Sequence, residues 1–420
     1  MIYCYRTVVN VTKSEIIEAA FKVWGRNFYR KTSLTQLAKE LKVSKPALYR
    51  HFTNKQALFA AMTERFFDDF TAFVRTDFEN AQKTADADEG IFTIIRSITR
   101  FFAQDVYALV FSLINIYDRI LDSCSMAESI KERGVDLLIL QCVIEKKYSS
   151  NMAVLKLLFN TLTFNMSLFH KANESFIKSP SAAQIQNIIS RICGVIANGL
   201  GFSSGKAGKL DFDKLEAIVE KSMQKAEPEP LFKAVAEAVA EAGPWEASME
   251  MVAKRMGFSK SSLYGHFKDR KDMMRRLFKT EFTRIIEFAR QGISLSSDSA
   301  EQLYLGIYSI AVYLRSRPET IAAMGWIRTR KLDLGKPEKN IEMFRLFEDV
   351  EIDAMQNAGE EEKQKTSHWI LFLLISVLMQ PNDIVPGKAS LQHSQRSFQT
   401  NNDIRDLYKF ITMGLGGFLR

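Results

Sequence analysis

The chain is poor in histidine, cysteine and proline, with five, four and nine in 420 residues. The cysteines, Cys4, Cys124, Cys142 and Cys193, are scattered. They show neither metal-ligand spacing nor the framework of a secreted disulfide protein, so a reduced, cytoplasmic chain is expected. No metal site is expected either, because His51 and His266 have no second histidine, cysteine or acid pair at ligand spacing. There is no phosphate-binding Walker loop, no dinucleotide fingerprint and no nucleophile elbow, so neither a cofactor nor an enzyme is expected. The N-terminus lacks the basic end, apolar core and small-residue cleavage site of a secretory signal. The longest strongly apolar run, Trp369 to Met379, stops before Pro381 and Asp383. It is too short to span a bilayer and reads as a buried core helix. No strand-like alternation of any length occurs, so the fold is expected to be all-α.

The features the chain does have occur twice. Ser44-Lys45-Pro46-Ala47-Leu48-Tyr49-Arg50-His51-Phe52 is matched 215 positions later by Ser259-Lys260-Ser261-Ser262-Leu263-Tyr264-Gly265-His266-Phe267. Residues 33–41 and 248–256 align in the same register without a gap. Near the ends, Asn198-Gly199-Leu200-Gly201 and Met413-Gly414-Leu415-Gly416 keep that spacing, as do the apolar segments 152–169 and 367–384. The register implies two full-length repeats, about 1–203 and 228–420. Within them we expect DNA-reading domains at 1–55 and 230–270, helical bodies at 56–203 and 271–420, and a linker at 204–229. The linker reads as a flexible Ser203 to Gly208, a polar helix from Asp211 to Lys225, and a stiff Glu227-Pro228-Glu229-Pro230.

Apolar residues recur at helical steps. Ile16, Ile17, Ala20, Phe21 and Trp24 line a first helix that Thr12 can cap. Lys31-Thr32-Ser33 starts a second, Ser44 caps a third with Pro46 in its first turn, and Asn54 caps a fourth from Lys55 to about Phe78. In the second copy, Pro230-Leu231 opens the first helix and Gly243-Pro244 is expected to break it. Ser248 and Ser259 cap the next two helices. Asp269 replaces Asn54 ahead of a helix from about Arg270 to Arg290.

Charge follows the motif. Net charge is +8, and about eleven basic residues face about three acidic ones within the first 60 positions. The second motif region is only mildly basic. Such an excess on one module is an electrostatic footprint for phosphate.

These segments resemble the TetR family of transcriptional regulators. The likeness rests on Thr32-Ser33-Leu34, Leu37-Ala38, Val43-Ser44-Lys45, Leu48-Tyr49, His51-Phe52 and Asn54-Lys55. In the second copy it rests on Val252-Ala253, Phe258-Ser259-Lys260, Leu263-Tyr264, His266-Phe267 and Asp269. It covers about 60 residues of each repeat. The resemblance implies a helix-turn-helix, double-stranded DNA as partner, and a small-molecule effector in the helical body.

The residues support the same chemistry. Residues 34–41 and 45–51 supply a short helix, a turn and a recognition helix. Ser44, Lys45, Tyr49, His51 and Lys55 are placed for the phosphate backbone, which fixes register without specifying sequence. Arg50 is the candidate base reader, since arginine can hold guanine with two hydrogen bonds. Thr35 and Gln36 either add contacts or are ordinary exposed helix residues. In the second module Ser259, Lys260, Ser261, Tyr264, His266 and Arg270 keep the phosphate set. Gly265 replaces Arg50 and Glu250 replaces Thr35. That module therefore either reads a different half-site or has drifted toward a structural role. Leu48, Phe52, Leu263 and Phe267 are expected in the core.

Phe101, Phe102, Tyr107, Phe111 and Tyr117, with Tyr308 and Trp326 in the second repeat, are read as bundle core or as the lining of an effector cavity. The segments 151–170, 183–200, 367–380 and 402–416 are apolar on more than one face and look like dimerising helices. Two repeats in one chain can supply both halves of such a bundle, so a monomer acting as a pseudo-dimer is expected, with a homodimer as the other possibility. The functions that follow are a ligand-responsive regulator, most simply a repressor, or an architectural or interaction protein with a degenerate second module and no effector. No membrane role is expected.

Overall fold

Short polar residues set where the helices begin. Thr12 and Glu15 form a reciprocal box, with Glu15 N–H donating to Thr12 Oγ1 at 3.2 Å and Thr12 N–H donating to Glu15 Oε2 at 2.8 Å. Ser33 and Gln36 repeat the arrangement at 3.2 and 2.7 Å. Ser44, Asn54, Ser248 and Asp298 each accept a backbone N–H from the first turn that follows. Each cap satisfies a donor that the helix leaves without an intrahelical acceptor.

The computed structural model describes residues 11–26, 33–112, 128–148, 152–172, 180–202, 209–222, 230–265, 270–317, 320–321, 345–378 and 401–419. Expectations at Lys31-Thr32, 203–208, Glu227 to Glu229, His266 to Asp269, Tyr117 and Trp326 lie outside these. Among the described residues there is no strand, only one antiparallel bridge between Tyr148 and Leu419. The fold is all-α.

Contacts divide the chain into two compact units, residues 1–146 with 166–189, and residues 147–165 with 190–420. The first contains α1 (Lys13–Arg26), α2 (Leu34–Glu40), α3 (Lys45–Tyr49), α4 (Lys55–Lys83), α5 (Ala87–Gln104), α6 (Val106–Phe111) and α7 (Leu138–Glu145). The helices α8 (Met152–Ala172) and α9 (Ala182–Asn198) contribute to both units. The second unit contains α10 (Phe212–Ser222), α11 (Pro230–Glu246), α12 (Met249–Arg255), α13 (Lys260–Gly265), α14 (Arg270–Ile293) and α15 (Ser299–Arg315). It ends with α16 (Asp353–Gln356), α17 (Glu360–Leu378), α18 (Asn401–Met413) and a 3₁₀ turn over Gly414–Phe418.

Phenylalanine rings organise the first unit. Phe70 and Phe101 meet edge to face at 5.3 Å, Phe66 packs on Phe111 at 5.8 Å, and Phe111 meets Phe21 of α1 at 4.9 Å. Trp24 packs on Phe59 at 6.0 Å. Helix α1 is thus joined through rings to α4 and α6.

In the second unit, segments of the first repeat pack against the second. Leu200 N–H donates to the Ile411 carbonyl at 2.8 Å and Gly201 N–H to Thr412 at 3.1 Å. A Cβ on Gly199 would lie 2.6 Å from Ile411 O, and one on Gly414 2.6 Å from the carbonyl carbon of Ala197. Both glycines have positive φ, 64° and 58°. Gly199 and Gly414 occupy equivalent positions of the two repeats, as do Ile196 and Ile411, and a Cβ on Gly414 would also collide with the Ile196 carbonyl. The contact is therefore reciprocal, as it is across a two-fold axis. Phe164 packs on Phe372 at 5.2 Å and on His368 at 5.0 Å. Trp369, Ile370, Leu371, Leu373 and Leu374 are buried, so the apolar run is core, and no helix among the described residues is long and apolar enough to cross a membrane.

One expectation needs correction. Gly243-Pro244 does not break α11, which runs without interruption to Glu246. The proline lies in the last turn, where its missing donor forfeits one bond and little helix remains to be disrupted. The linker helix, expected from Asp211 to Lys225, is described over Phe212–Ser222, with 223–225 outside the described residues, and it is docked, with Leu215, Glu216 and Val219 buried. Glu216 receives both arms of Arg405, Nε at 2.7 Å and Nη2 at 2.8 Å, along with Tyr304 Oη at 2.6 Å and Asn401 Nδ2 at 2.7 Å. Tyr308 Oη donates to Glu220 Oε1 at 2.7 Å. At the matching positions of the first repeat stand Glu89, Thr93, Gln186 and Ser190, none of which offers this donor set.

Burial opposes ionisation of Glu216, but the bonds from Arg405, Tyr304 and Asn401 outweigh it and hold the carboxyl below the usual carboxylate range. A depressed folded pKa contributes stability that is present above the unfolded value, near 4.3, and is lost as pH falls through the folded value. Glu216→Gln should therefore lower stability at neutral pH by about 1–3 kcal/mol, the range for hydrogen bonds to a charged group. The gap between variant and wild type should close as thermal unfolding is followed from pH 7 down to 3.

Candidate nucleic-acid interface

The first recognition helix is built from its inward side. Leu48 and Phe52 are buried at 1% and 4% exposure, as expected. This leaves Ser44, Lys45, Pro46, Tyr49, Arg50 and His51 exposed. Tyr49 is 44% exposed, and Lys45 Nζ lies 5.8 Å from its ring centroid. The two are one helical turn apart, so a cation and a phenol share one edge of the helix. Ser44 Oγ accepts from Ala47 N at 3.4 Å. Arg50 closes the helix, its N–H donating to Pro46 O at 3.2 Å, with its side chain on an exposed residue. Lys55, behind the Asn54 cap, is half-buried, and burial pulls its pKa down.

On the preceding helix, Thr35 and Gln36 are both exposed. The side-chain carbonyl of Gln36 is engaged by Ser33 N–H, and its amide nitrogen is not part of that box. Ser33→Ala removes the Oγ half of this box and leaves the backbone N–H half. It should lower the stability of the module by about 1 kcal/mol, the usual worth of an N-cap, measured by urea unfolding at neutral pH.

The turn between the two helices needs a left-handed residue. Lys42 adopts φ 54°, and the matching Gly257 has φ 73°. A non-glycine pays roughly 1 kcal/mol or more in this region. Seen alone, Lys42 gives no sign of its conformation, but the glycine at its counterpart position does.

The second module keeps the frame and changes the chemistry. Ser259 Oγ accepts from Ser262 N at 3.0 Å and lies 3.0 Å from Ser261 Oγ. Ser259, Ser261 and Gly265 are exposed, and Phe258 is 42% exposed. Lys260, Tyr264 and Arg270 lie on described helices, but their side chains fall outside the description, as does all of His266. Arg255 bridges to Glu241 and approaches Glu237 at 3.9 Å. The first module has Glu40, Arg26 and Lys22 at those positions, so the signs of charge there are reversed between the two modules. With the exposed Glu250 in the first turn of α12, the second module presents more acid than the first.

The other predicted residues group differently. Phe101 and Phe111 are buried among rings, and Phe102 packs on Phe101 at 5.2 Å. His170 lies 2.8 Å from the Phe102 carbonyl, and burial lowers its pKa. Tyr107 is half-buried, and Tyr308 is bonded to the linker helix. The Glu216 clamp was missed by the sequence reading. Its signal was the match of two four-residue steps, Glu216 to Glu220 and Tyr304 to Tyr308.

With this geometry in hand, the chain can be compared with known proteins. The model of bacterial regulatory proteins of the tetR family matches residues 16–62 and again 231–277. The chain carries two TetR-type DNA-binding segments in tandem. It is 42% identical over 53 residues to the uncharacterized HTH-type transcriptional regulator YuxN of Bacillus subtilis (strain 168), covering 13% of this chain and 18% of that protein. It is 31% identical over 120 residues to the HTH-type transcriptional repressor ComR of Escherichia coli (strain K12), covering 28% and 55%. It is 31% identical over 87 residues to the HTH-type transcriptional activator FasR of Mycolicibacterium smegmatis (strain ATCC 700084 / mc(2)155), covering 20% and 40%. The matches span about half or less of each relative's length. Both family-model matches enclose a helix-turn-helix, so the repeat read from the motif is a repeat of TetR-type DNA-binding domains.

Proposed function

We propose that this protein is a DNA-binding transcriptional regulator, acting as a ligand-responsive repressor, whose two modules serve as one intramolecular pseudo-dimer on an operator of two unlike half-sites. The observation that carries the reading is the reciprocal contact of Gly199 with Ile411 and of Gly414 with Ile196. Ordinary two-fold dimers pair in this way, and here both partners belong to one chain. Lys45, Tyr49, His51 and Lys55 hold the phosphate backbone, and Arg50 reads a base. Ser259, Lys260, Ser261, Tyr264, His266 and Arg270 hold the second half-site more weakly, since Gly265 offers no base reader.

The ligand response is assigned to the ring cluster of the first repeat. Phe101, Phe102 and Phe111 line the site, with Tyr107 at its edge, and Phe111 touches Phe21 of α1. A small molecule that separates these rings shifts helix one, and so favours one DNA-module geometry over another. Repression follows where the bound site overlaps a promoter. ComR is named a repressor and FasR an activator, so the sign depends on where the operator lies. The reading includes no catalytic step. The acids of the second module, Glu237, Glu241 and Glu250, favour a second reading in which that module is structural only.

Selecting bound fragments from a random DNA pool tests this. Two unlike half-sites about one helical turn apart are expected. A single short site would overturn the two-module reading in favour of the structural one.

A further inference from the structure

The repeat-to-repeat interface carries a charge pattern that its near-symmetry makes informative. Arg191 Nη2 lies 2.5 Å from Glu362 Oε1, joining α9 of the first repeat to α17 of the second. Under the reciprocity seen at Gly199 and Gly414, this pair has an image in which each residue moves by the repeat spacing to the other repeat. The image residues are Asp406, in place of Arg191, and Lys147, in place of Glu362. Both signs are reversed, so the image is again an opposite-charge pair. The neighbouring residues follow the same rule, Lys146 in one repeat against Glu361 in the other. Residues Ala182–Asn198 carry a single charge, Arg191, so the sign at this place is not diluted along its helix.

The pattern has a consequence for pairing. First repeat against second gives one observed ion pair, Arg191 with Glu362, and by the repeat symmetry a second opposite-charge match of Lys147 with Asp406, whose carboxylate also lies 3.8 Å from Lys409. First against first would set Arg191 beside Lys147 at both symmetric places, and second against second would set Asp406 beside Glu362. We propose that Arg191, Glu362, Lys147 and Asp406 form a two-part charge key, through which the bundle face of each repeat accepts the unlike repeat and rejects a like repeat from a second chain. Specificity of this kind needs the disfavoured pairing to be repulsive as well as the favoured one attractive. The key thus keeps two DNA modules of different sequence on one operator. The proposal rests on the pseudo-dimer reading and is independent of the DNA and effector assignments.

The test uses the full chain. Arg191→Glu sets like charges against Glu362 and creates an attractive match with Lys147 in a first-to-first pairing. Sedimentation at low salt should show self-association about tenfold tighter than for Arg191→Ala, the two differing by roughly one or two surface pairs. High salt should erase the difference. Glu362→Lys should act in the same direction through the second repeat, and the double variant Arg191→Glu with Glu362→Lys, which restores an opposite-charge pair within the chain, should recover the midpoint of thermal unfolding lost in either single change. For the image pair, Lys147→Glu should lower the midpoint of thermal unfolding and added Asp406→Lys should recover it. If both single reversals match their alanine controls in mass and midpoint, or if the double variant is worse than either single change, the key is wrong. A wild-type chain that is already a like-to-like dimer would instead defeat the pseudo-dimer reading beneath it.

Discussion

Gly199→Ala and Gly414→Ala are each expected to destabilise the chain by about 2–4 kcal/mol, through left-handed backbone strain and overpacking together. Both residues sit at positive φ. An added methyl at 199 would meet Ile411 O and Met413 N at 2.6 Å, and one at 414 would meet Ala197 C at 2.6 Å. These are backbone atoms, which cannot rotate aside as a side-chain tip can. The hydrogen bonds of Leu200 and Gly201 to Ile411 and Thr412 lie beside the collision and would be stretched with it. Gly194 and Gly416 are the controls, since a methyl there meets nothing within 4 Å. Gly194 lies inside α9, so alanine there should be neutral or stabilising by up to about 1 kcal/mol. Denaturant unfolding measures all four. Equal effects at 199 and 194 would show that the close approach contributes little.

Arg50→Ala is expected to weaken binding to the preferred operator by about ten- to a hundredfold, the worth of 1–3 kcal/mol for a bidentate base contact, and to relax specificity at one base pair. Lys45→Ala should act differently. It should weaken binding to all sequences alike and lower the salt slope by about one. Titrations on matched and scrambled DNA at several salt concentrations separate the two. Gly265→Ala, at an exposed position with room for a methyl, should leave DNA affinity nearly unchanged. If Arg50→Ala lowers affinity equally on every sequence, Arg50 is a phosphate ligand and the base reader lies elsewhere.

Local chemistry was the most legible part of this molecule. Ser44, Asn54 and Ser248 act as caps where the sequence reading put them, because a cap and the turn it serves lie within four residues. The repeat was legible for a similar reason, since its register can be checked residue by residue. Features set by tertiary contact were not. Tyr308 stood between bundle core and effector lining and α10 was legible only as part of a linker, whereas Tyr304 and Tyr308 hold the carboxylates of that helix. Nothing local to Glu216 announces Arg405, which lies 189 positions away. Pro244 misled because a proline's effect depends on how much helix follows it, and only two residues do.

The most direct measurement is the mass of the protein–DNA complex on a fragment carrying the selected operator. A pseudo-dimer gives one 48.0 kDa chain per fragment with both half-sites protected. Two chains per fragment, each protecting one half-site through its first module, would contradict it.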